Sequence, residues 1–227
     1  MQVEQILTRL HELADPRAVA AWARMNISPE HYIGVNLTKL KVVAKEIKKN
    51  HALAHELWET RIHDAKLLAT MIEEPKKVAL EQIDRQIGEI YSPDLVDKYC
   101  SNVVGRTPFV LAKIEAWTRH GEEMVKRAGY MLLSGLAHGE TLTEDAFFLP
   151  YLRRIEAEVA GERNWVREAM NYALIGIGTR TQRLNEAATG VARAVGRIVI
   201  DYGDTSCKAP DALQRLTSDA AVEQWAA

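Results

Sequence analysis

Apolar residues recur along the chain at spacings of three and four positions, as at Leu37, Leu40, Ala44 and Ile47. This period predicts amphipathic α-helices, because residues three or four apart share one helix face. The period-two alternation of half-buried strands is missing. One β-branched run, residues 198–200, is short and ends at the turn-like residues 201–204. We therefore predict an all-α fold.

Capping residues and helix-starting prolines divide this pattern into about twelve short helices. The start signals are Ser28-Pro29-Glu30, Glu74-Pro75, Ser92-Pro93-Asp94, Thr107-Pro108 and Thr143-Glu144. Short antiparallel helices joined by short loops favour stacked helix pairs, an α-solenoid, over a four-helix bundle. The predicted helices span about 2–13, 16–25, 36–48, 51–58, 63–73, 79–90, 94–104, 108–118, 121–136, 144–159, 163–177 and 181–199.

A weak internal similarity supports the solenoid. Two polar residues followed by an alanine and an apolar run occur at residues 63–68, 126–131 and 167–172, each early in a predicted helix. The alternative is that any amphipathic helix fits so loose a pattern. We predict a single domain over residues 1–200 and a C-terminal tail over 201–227, with a short packed helix as a candidate element of the tail.

Composition limits the function. The chain has 227 residues and a formal net charge of -2, so a whole-molecule attraction to nucleic acid is excluded. Two distant cysteines, Cys100 and Cys207, and a polar opening segment lead us to expect a cytoplasmic protein with free thiols. No run approaches the roughly 18 apolar residues of a membrane helix, so we expect no membrane partner.

Positive charge is nevertheless concentrated locally. Residues 31–50 carry five lysines against one glutamate, and residues 163–200 carry six arginines against two glutamates. In a solenoid both stretches could line a concave basic groove that follows a phosphate backbone. The alternative is that each stretch is the solvated face of an amphipathic helix.

The sequence contains no zinc, nucleotide-binding or nucleophile-elbow motif, so we expect neither metal nor cofactor. Two acids, Asp94 and Asp97, lie three positions apart at a predicted helix start, where the helix dipole favours their ionised forms. The alternative is that Asp94 is an ordinary helix-start acid and that Asp97 pairs with Lys98 or Ser101.

Several short segments between residues 28 and 190 share their order and spacing with a known family: 34–35, 57–60, 65–69, 92–97, 102, 107–109, 125–129, 148–150 and 164–174. On these segments the chain resembles the DNA alkylation repair family of AlkD-type glycosylases. The resemblance implies an all-helical stack of HEAT-like repeats that holds duplex DNA on a basic concave face and excises N3- and N7-alkylated purines. It also implies that the damaged nucleotide stays in or near the base stack.

The resemblance assigns roles to individual residues. The family's Ser-Trp-Asp-x-x-Asp segment corresponds to residues 92–97, so Asp97 is the catalytic acid and Pro93 replaces an aromatic ring. Arg127 matches an arginine that contacts DNA. The family's Asn-Trp-Ala-Leu-Arg corresponds to residues 171–175, where Tyr172 keeps a ring and Ile175 replaces the arginine. Three of these five positions have changed.

These roles define the predicted site. Asp97 would stabilise the oxocarbenium-like charge that develops on the sugar and position a water molecule. Tyr172, Pro93 and Asp94 would line the substrate cleft; Lys126, Arg127, Arg163, Arg167, Lys39 and Lys45 would contact DNA. We expect a monomeric DNA glycosylase acting on alkylated or otherwise damaged duplex DNA.

Two other functions remain open: a noncatalytic HEAT-like module for damaged or branched DNA, favoured by Pro93 and Ile175, and a protein-binding solenoid. For single residues, Arg127 could instead pair with Glu123 one helical turn earlier. Tyr172 could belong to the core as well as the cleft. Apolar helical spacing predicts that Trp22, Trp58, Trp117 and Trp165 are core residues, and that Cys100 is buried.

Overall fold

The computed structural model of the chain describes residues 2–24, 31–139 and 143–218. Every regular element among these residues is helical, which confirms the predicted all-α fold. The α-helices are α1 Val3–Glu12, α2 Pro16–Arg24, α3 Leu37–Ile47, α4 His51–Glu59, α5 His63–Ile72, α6 Leu80–Ile87, α7 Pro93–Asn102, α8 Val110–Trp117, α9 Glu123–His138, α10 Asp145–Glu158, α11 Asn164–Gly178, α12 Gln182–Val195 and α13 Ala212–Leu216.

All twelve predicted helices occur within a few residues of their predicted bounds. The start signal at Glu74-Pro75 was wrong for an α-helix, because it opens a single 3₁₀ turn, Pro75–Lys77, before α6. The last helix was predicted too long. It ends at Val195, because Gly196 adopts a positive φ of 67° and carries the chain out of the helix. The signal at residues 28–30 lies outside the described residues.

The chain divides into two compact units, Met1–Phe109 and Val110–Ala227. In the N-terminal unit α5 is the central helix, since nine of its ten residues are buried. Its apolar side chains pack against α3, α4 and α7. A buried helix requires every polar group on it to find a partner, and α5 carries the buried polar residues His63, Asp64 and Lys66.

In the C-terminal unit α9 packs along α11, and α8 lies against α9. The approach of α8 and α9 depends on Gly129, where a Cβ atom would lie 2.5 Å from the Thr118 amide nitrogen. The thirteenth helix lies in the predicted tail and packs on α11 and α12, with Leu216 only 1% exposed. The predicted single domain over residues 1–200 stays a prediction.

Several single-residue predictions are confirmed. Trp58 and Trp117 are buried core residues, and Cys100 is buried. Both cysteines are free thiols, and Cys207 is exposed. Trp165 is only half-buried, because it lies at the start of α11 beside the tail residue Tyr202. The side chain of Trp22 lies outside what the structure describes.

Candidate nucleic-acid interface

The segment that carries the predicted catalytic acid forms the start of α7. Ser92 occupies the N-cap position and Pro93 the first helical turn, where a proline removes no intrahelical hydrogen bond. The Nε2 atom of His63 lies 2.9 Å from Oδ2 of Asp94, and the His63 side chain is fully buried. Asp94 therefore connects α7 to α5. It does more than an ordinary helix-start acid, which would act only on its own helix.

The environment of Asp94 keeps it ionised. Burial by itself would raise the pKa of its carboxyl group, but the hydrogen bond and charge of the His63 ring hold that pKa below the ordinary value. Asp97 lies one helical turn further along α7 and is half-buried. Its backbone carbonyl accepts a hydrogen bond of 2.7 Å from the Ser101 hydroxyl. The His63 contact thus ties Asp94 to the fold.

Arg127 is a buried residue of the C-terminal unit, with 1% of its surface exposed. Its guanidinium donates to Oε2 of Glu168 at 2.6 Å and to the carbonyl of Trp165 at 3.0 Å, and it lies 5.8 Å from the Trp165 ring centroid. Glu168 lies 41 positions away in sequence. The arginine that the resemblance assigns to DNA is therefore part of a buried ion pair, and its DNA contact stays a prediction.

The other residues of this unit that are predicted to contact DNA differ in how many bonds their side chains make to the rest of the protein. Lys126 pairs with Glu162 and with Glu158. Arg163 is exposed, and its guanidinium donates to the Gly121 carbonyl. Arg167 is half-buried, and its Nε atom makes no hydrogen bond within the described part of the chain.

Tyr172 is half-buried on α11, and the tail runs over the same helix. The side-chain amide of Asn164 exchanges two hydrogen bonds of 2.8 Å with the backbone of Asp201. The hydroxyl of Tyr202 then donates to Oε1 of Glu168 at 2.6 Å. Burial, followed by the interactions with Glu168 and Tyr172, raises the pKa of Tyr202, so its phenol stays protonated. Sequence reasoning missed Tyr202, because nothing local to the tail indicates its partner.

Helix α3 presents an exposed basic face. Lys41 and Lys45 are one turn apart and share one side of the helix, and the exposed Lys48 follows at the C-cap. None of the three has an ion pair within residues 2–24, 31–139 and 143–218. Of the two lysines predicted on this helix, Lys45 belongs to this face, whereas Lys39 donates to the Leu13 carbonyl at 2.9 Å. We call Lys41, Lys45 and Lys48 the lysine face.

Helix α12 carries a second set of exposed cations, Arg183 and Arg193, with Arg197 just beyond its end. None of these arginines forms an ion pair with any residue that the structure describes. All three belong to the basic stretch at residues 163–200, but none of them is among the predicted DNA contacts. Arg183 and Arg193 are ten positions apart, and Arg197 follows four positions later. This spacing does not identify a shared helix face.

The described residues contain no group of three or more His, Cys, Asp or Glu side chains that could hold a metal ion. In the same part of the chain no helix combines the length and the apolar character needed to cross a membrane.

A family model of DNA alkylation repair enzymes matches residues 6–216, so the chain belongs to this family. Two uncharacterised proteins of Listeria are similar over almost their whole length. The protein of Listeria innocua is 28% identical over 220 residues, covering 94% of this chain and 95% of the relative. The protein of Listeria monocytogenes is 27% identical over 224 residues, with the same shares covered.

The fold is also that of a solved structure. A member of a family related to the HEAT-like repeat DNA glycosylases, with affinity for branched DNA structures, matches with a TM-score of 0.86. The match covers 99% of this chain and 95% of that one at 21% identity. It confirms the HEAT-like all-α fold. The predicted concave basic groove stays a prediction.

Proposed function

We propose that this protein binds duplex DNA as a repair protein and that the lysine face of α3 contacts the phosphate backbone. Three exposed lysines without an acidic partner in the described part of the chain are the observation that carries this proposal. Ammonium groups that the fold leaves unpaired are available to phosphates, and each contact releases counterions from the DNA. Membership in the DNA alkylation repair family supports the same partner.

Local charge matters more than total charge for this binding. With a net charge of -2 the whole molecule does not attract DNA. We expect the lysine face and the arginines of α12 to contact DNA at short range, once the DNA is already close to the protein. The DNA structure preferred would be branched or damaged, since the solved protein that shares this fold belongs to a family with affinity for branched DNA structures.

The salt dependence of affinity tests the lysine face. The double variant Lys41→Ala with Lys45→Ala should reduce the slope of log affinity against log salt by about 1.8, since each phosphate contact contributes roughly 0.9. The matched control is Lys76→Ala with Lys77→Ala, which removes the same charge from exposed positions of the same unit. Equal slopes in both variants and the wild type would show that α3 does not contact DNA. Measuring a four-way junction beside a linear duplex adds the structural preference.

A second candidate function is excision of alkylated purines, and Asp97 is the residue that favours it. An N-alkylated purine is already a good leaving group, so one carboxylate that stabilises the cationic sugar can suffice. Pro93 removes one aromatic wall from the cleft, and Ile175 removes a phosphate contact. A glycosylase with this site would be slower than one with both groups in place.

Base release tests this second candidate directly. Methylated purines released from alkylated duplex DNA are counted in single-turnover reactions with the wild type and with Asp97→Asn. If Asp97 is catalytic, the variant should lose release by about 100-fold or more while its DNA affinity is unchanged. Absence of release from both proteins, beside intact salt-sensitive binding, would leave the DNA-binding function alone.

A further inference from the structure

The N-terminal unit contains a cavity of about 320 Å³ that the proposed phosphate contacts do not use. Six residues line it: His31, Glu59, Arg61, Lys66, Glu89 and Tyr91. Its volume lies at the small end of the range of about 300–1,000 Å³ found for ligand sites in proteins. The cavity is therefore large enough for a single small organic group.

The wall formed by Lys66 is rigid and polar. Lys66 is 3% exposed, and its ammonium lies 4.8 Å from the Trp58 ring centroid and 3.3 Å from Oε2 of Glu89. The indole of Trp58 donates to the same oxygen at 2.7 Å. Burial lowers the pKa of Lys66, and the charge of Glu89 opposes that effect. Buried donors and acceptors fixed in this way can discriminate between ligands by hydrogen bonding.

The charged residues that line the cavity do not all form ion pairs with one another. Glu59 is bound by Arg85 at 2.8 Å from outside the cavity lining. Arg61 is exposed and has no ion pair within the described ranges. Its backbone is left-handed, with φ of 60°, and it ends α4 directly after the C-cap residue Thr60. Arg61 thus stays available for a ligand at the cavity.

Tyr91 supplies an aromatic surface that is 44% exposed. Its ring centroid lies 6.1 Å from that of His63, the residue that bonds Asp94 at the start of α7. Burial, followed by the charges of Asp94 and Asp64, raises the pKa of the Tyr91 phenol. The hydroxyl therefore remains a neutral donor and acceptor beside the ring.

We propose that this cavity binds a nucleobase, stacked on Tyr91 and hydrogen-bonded to Lys66 and Glu89. Two carboxylates and two cations in the lining give no net charge, so a bare phosphate would meet Glu59 and Glu89 as repulsive neighbours. A neutral heterocycle with donors and acceptors on one edge and a flat face fits both the polar pair and the ring. Arg61 would then bind the phosphate of the same nucleotide.

The base can come from two sources. An unpaired nucleotide of bound DNA would deepen the proposed function, on which this source rests, and would explain a preference for branched DNA. A free nucleotide would use the same contacts without DNA. The two sources differ only in what carries the base, so one photochemical probe can distinguish them.

The experiment uses 5-iodouracil, which cross-links to an aromatic side chain in contact with it when irradiated. One 5-iodouracil is placed in a single-nucleotide bulge of a duplex, and in a fully paired duplex as the control. The third probe is free 5-iodo-2′-deoxyuridine monophosphate. Adducts are mapped on the full-length protein by mass spectrometry, and affinity for each DNA is measured separately.

An adduct at Tyr91 from the bulge, at least about ten-fold above the paired duplex, supports the proposal with DNA as the source. An adduct at Tyr91 from the free nucleotide alone supports the cavity and assigns it to free nucleotides, even if DNA binding fails. No adduct at Tyr91 from either probe overturns the proposal, and intact DNA binding in that case leaves the proposed function standing.

Two variants at one position complete the test. Tyr91→Ala should abolish the adduct and weaken binding of the bulged DNA about ten-fold, while the paired duplex is bound as by the wild type. Tyr91→Phe keeps the ring and should keep both the adduct and the affinity. Because Tyr91 is 44% exposed, both variants should fold. Equal loss on both DNAs would show that Tyr91 contributes to general DNA binding and would overturn its role in base recognition.

Discussion

Each unit contains a helix with a buried acid, and the two acids are bound by different kinds of partner. Asp64 on α5 and Glu168 on α11 each precede the alanine of the repeated sequence pattern, and each is buried. Asp64 accepts hydrogen bonds from the backbone amides of Ile33 and Val35, both at 2.6 Å, and Gly34 at 3.3 Å. Glu168 instead accepts from Arg127 and from Tyr202.

The two acids therefore differ in whether they use a cation. Backbone amides bind Asp64 in the N-terminal unit, and the lysines Lys41 and Lys45 of α3 are exposed. The C-terminal unit uses Arg127 inside its core and pairs Lys126 with two glutamates. Among basic residues with the same weight in a sequence-based charge count, Arg127 and Lys126 thus have structural roles, whereas Lys41 and Lys45 are open to a ligand.

The largest expected effect comes from removing the buried cation of the C-terminal unit. Arg127→Ala should lower the free energy of unfolding by about 3–5 kcal/mol, because the Glu168 carboxylate would remain buried without its cationic partner. Urea denaturation monitored by circular dichroism measures the loss. The control is Arg119→Ala, an exposed arginine whose nearest carboxylate lies at 4.0 Å, which should cost under about 0.5 kcal/mol. If Arg127→Ala proved as mild as this control, the pair would not stabilise the fold.

The matching change in the N-terminal unit is Asp64→Asn. An amide has one acceptor oxygen, so one side of the backbone cradle at residues 33–35 loses its acceptor, at a cost of about 2 kcal/mol. Hydrogen exchange of the Ile33, Gly34 and Val35 amides reports the change, and these amides should exchange faster than those of α7. Unchanged protection at all three amides would mean that the carboxylate does not hold this loop.

A smaller effect, dependent on pH, is expected at the start of α7. The pKa of Asp94 is held below its unfolded value, so its bond to His63 stabilises the fold above about pH 4 and is lost as pH falls through the folded pKa. Asp94→Asn should therefore cost about 1 kcal/mol at pH 7 and progressively less below pH 4. Unfolding curves of both proteins at several pH values measure the difference. A constant difference down to pH 2 would contradict this account.

Local sequence patterns predicted the helices but not the contacts between them. The apolar period of α3 and the proline at the start of α7 act within a few residues, so their effects can be predicted locally. Three interactions that define the candidate site connect distant residues: His63 with Asp94, Lys39 with the Leu13 carbonyl, and Arg127 with Glu168. These interactions span 31, 26 and 41 positions, which is beyond any helical spacing.

The same limit explains which DNA contacts the sequence could indicate. The spacing of four positions places Lys41 and Lys45 on one face of any helix, so their shared face can be predicted from the sequence, although only Lys45 of the two was a predicted DNA contact. Whether a lysine on such a face is paired depends on the neighbouring elements. Lys39 and Lys45 are both predicted DNA contacts, yet the Lys39 ammonium donates to the Leu13 carbonyl, whereas Lys45 is exposed and makes no ion pair within the described residues.

The smallest expected effect on stability is at this lysine face. Lys41→Ala with Lys45→Ala should change the free energy of unfolding by less than about 0.5 kcal/mol, because exposed charges without partners contribute little to folding. Alanine is also at least as good a helix former as lysine at these positions. Urea denaturation under the conditions used for Arg127→Ala measures the change. A loss of 2 kcal/mol or more would mean that α3 uses these ammonium groups within the fold, and the contrast between the two units would disappear.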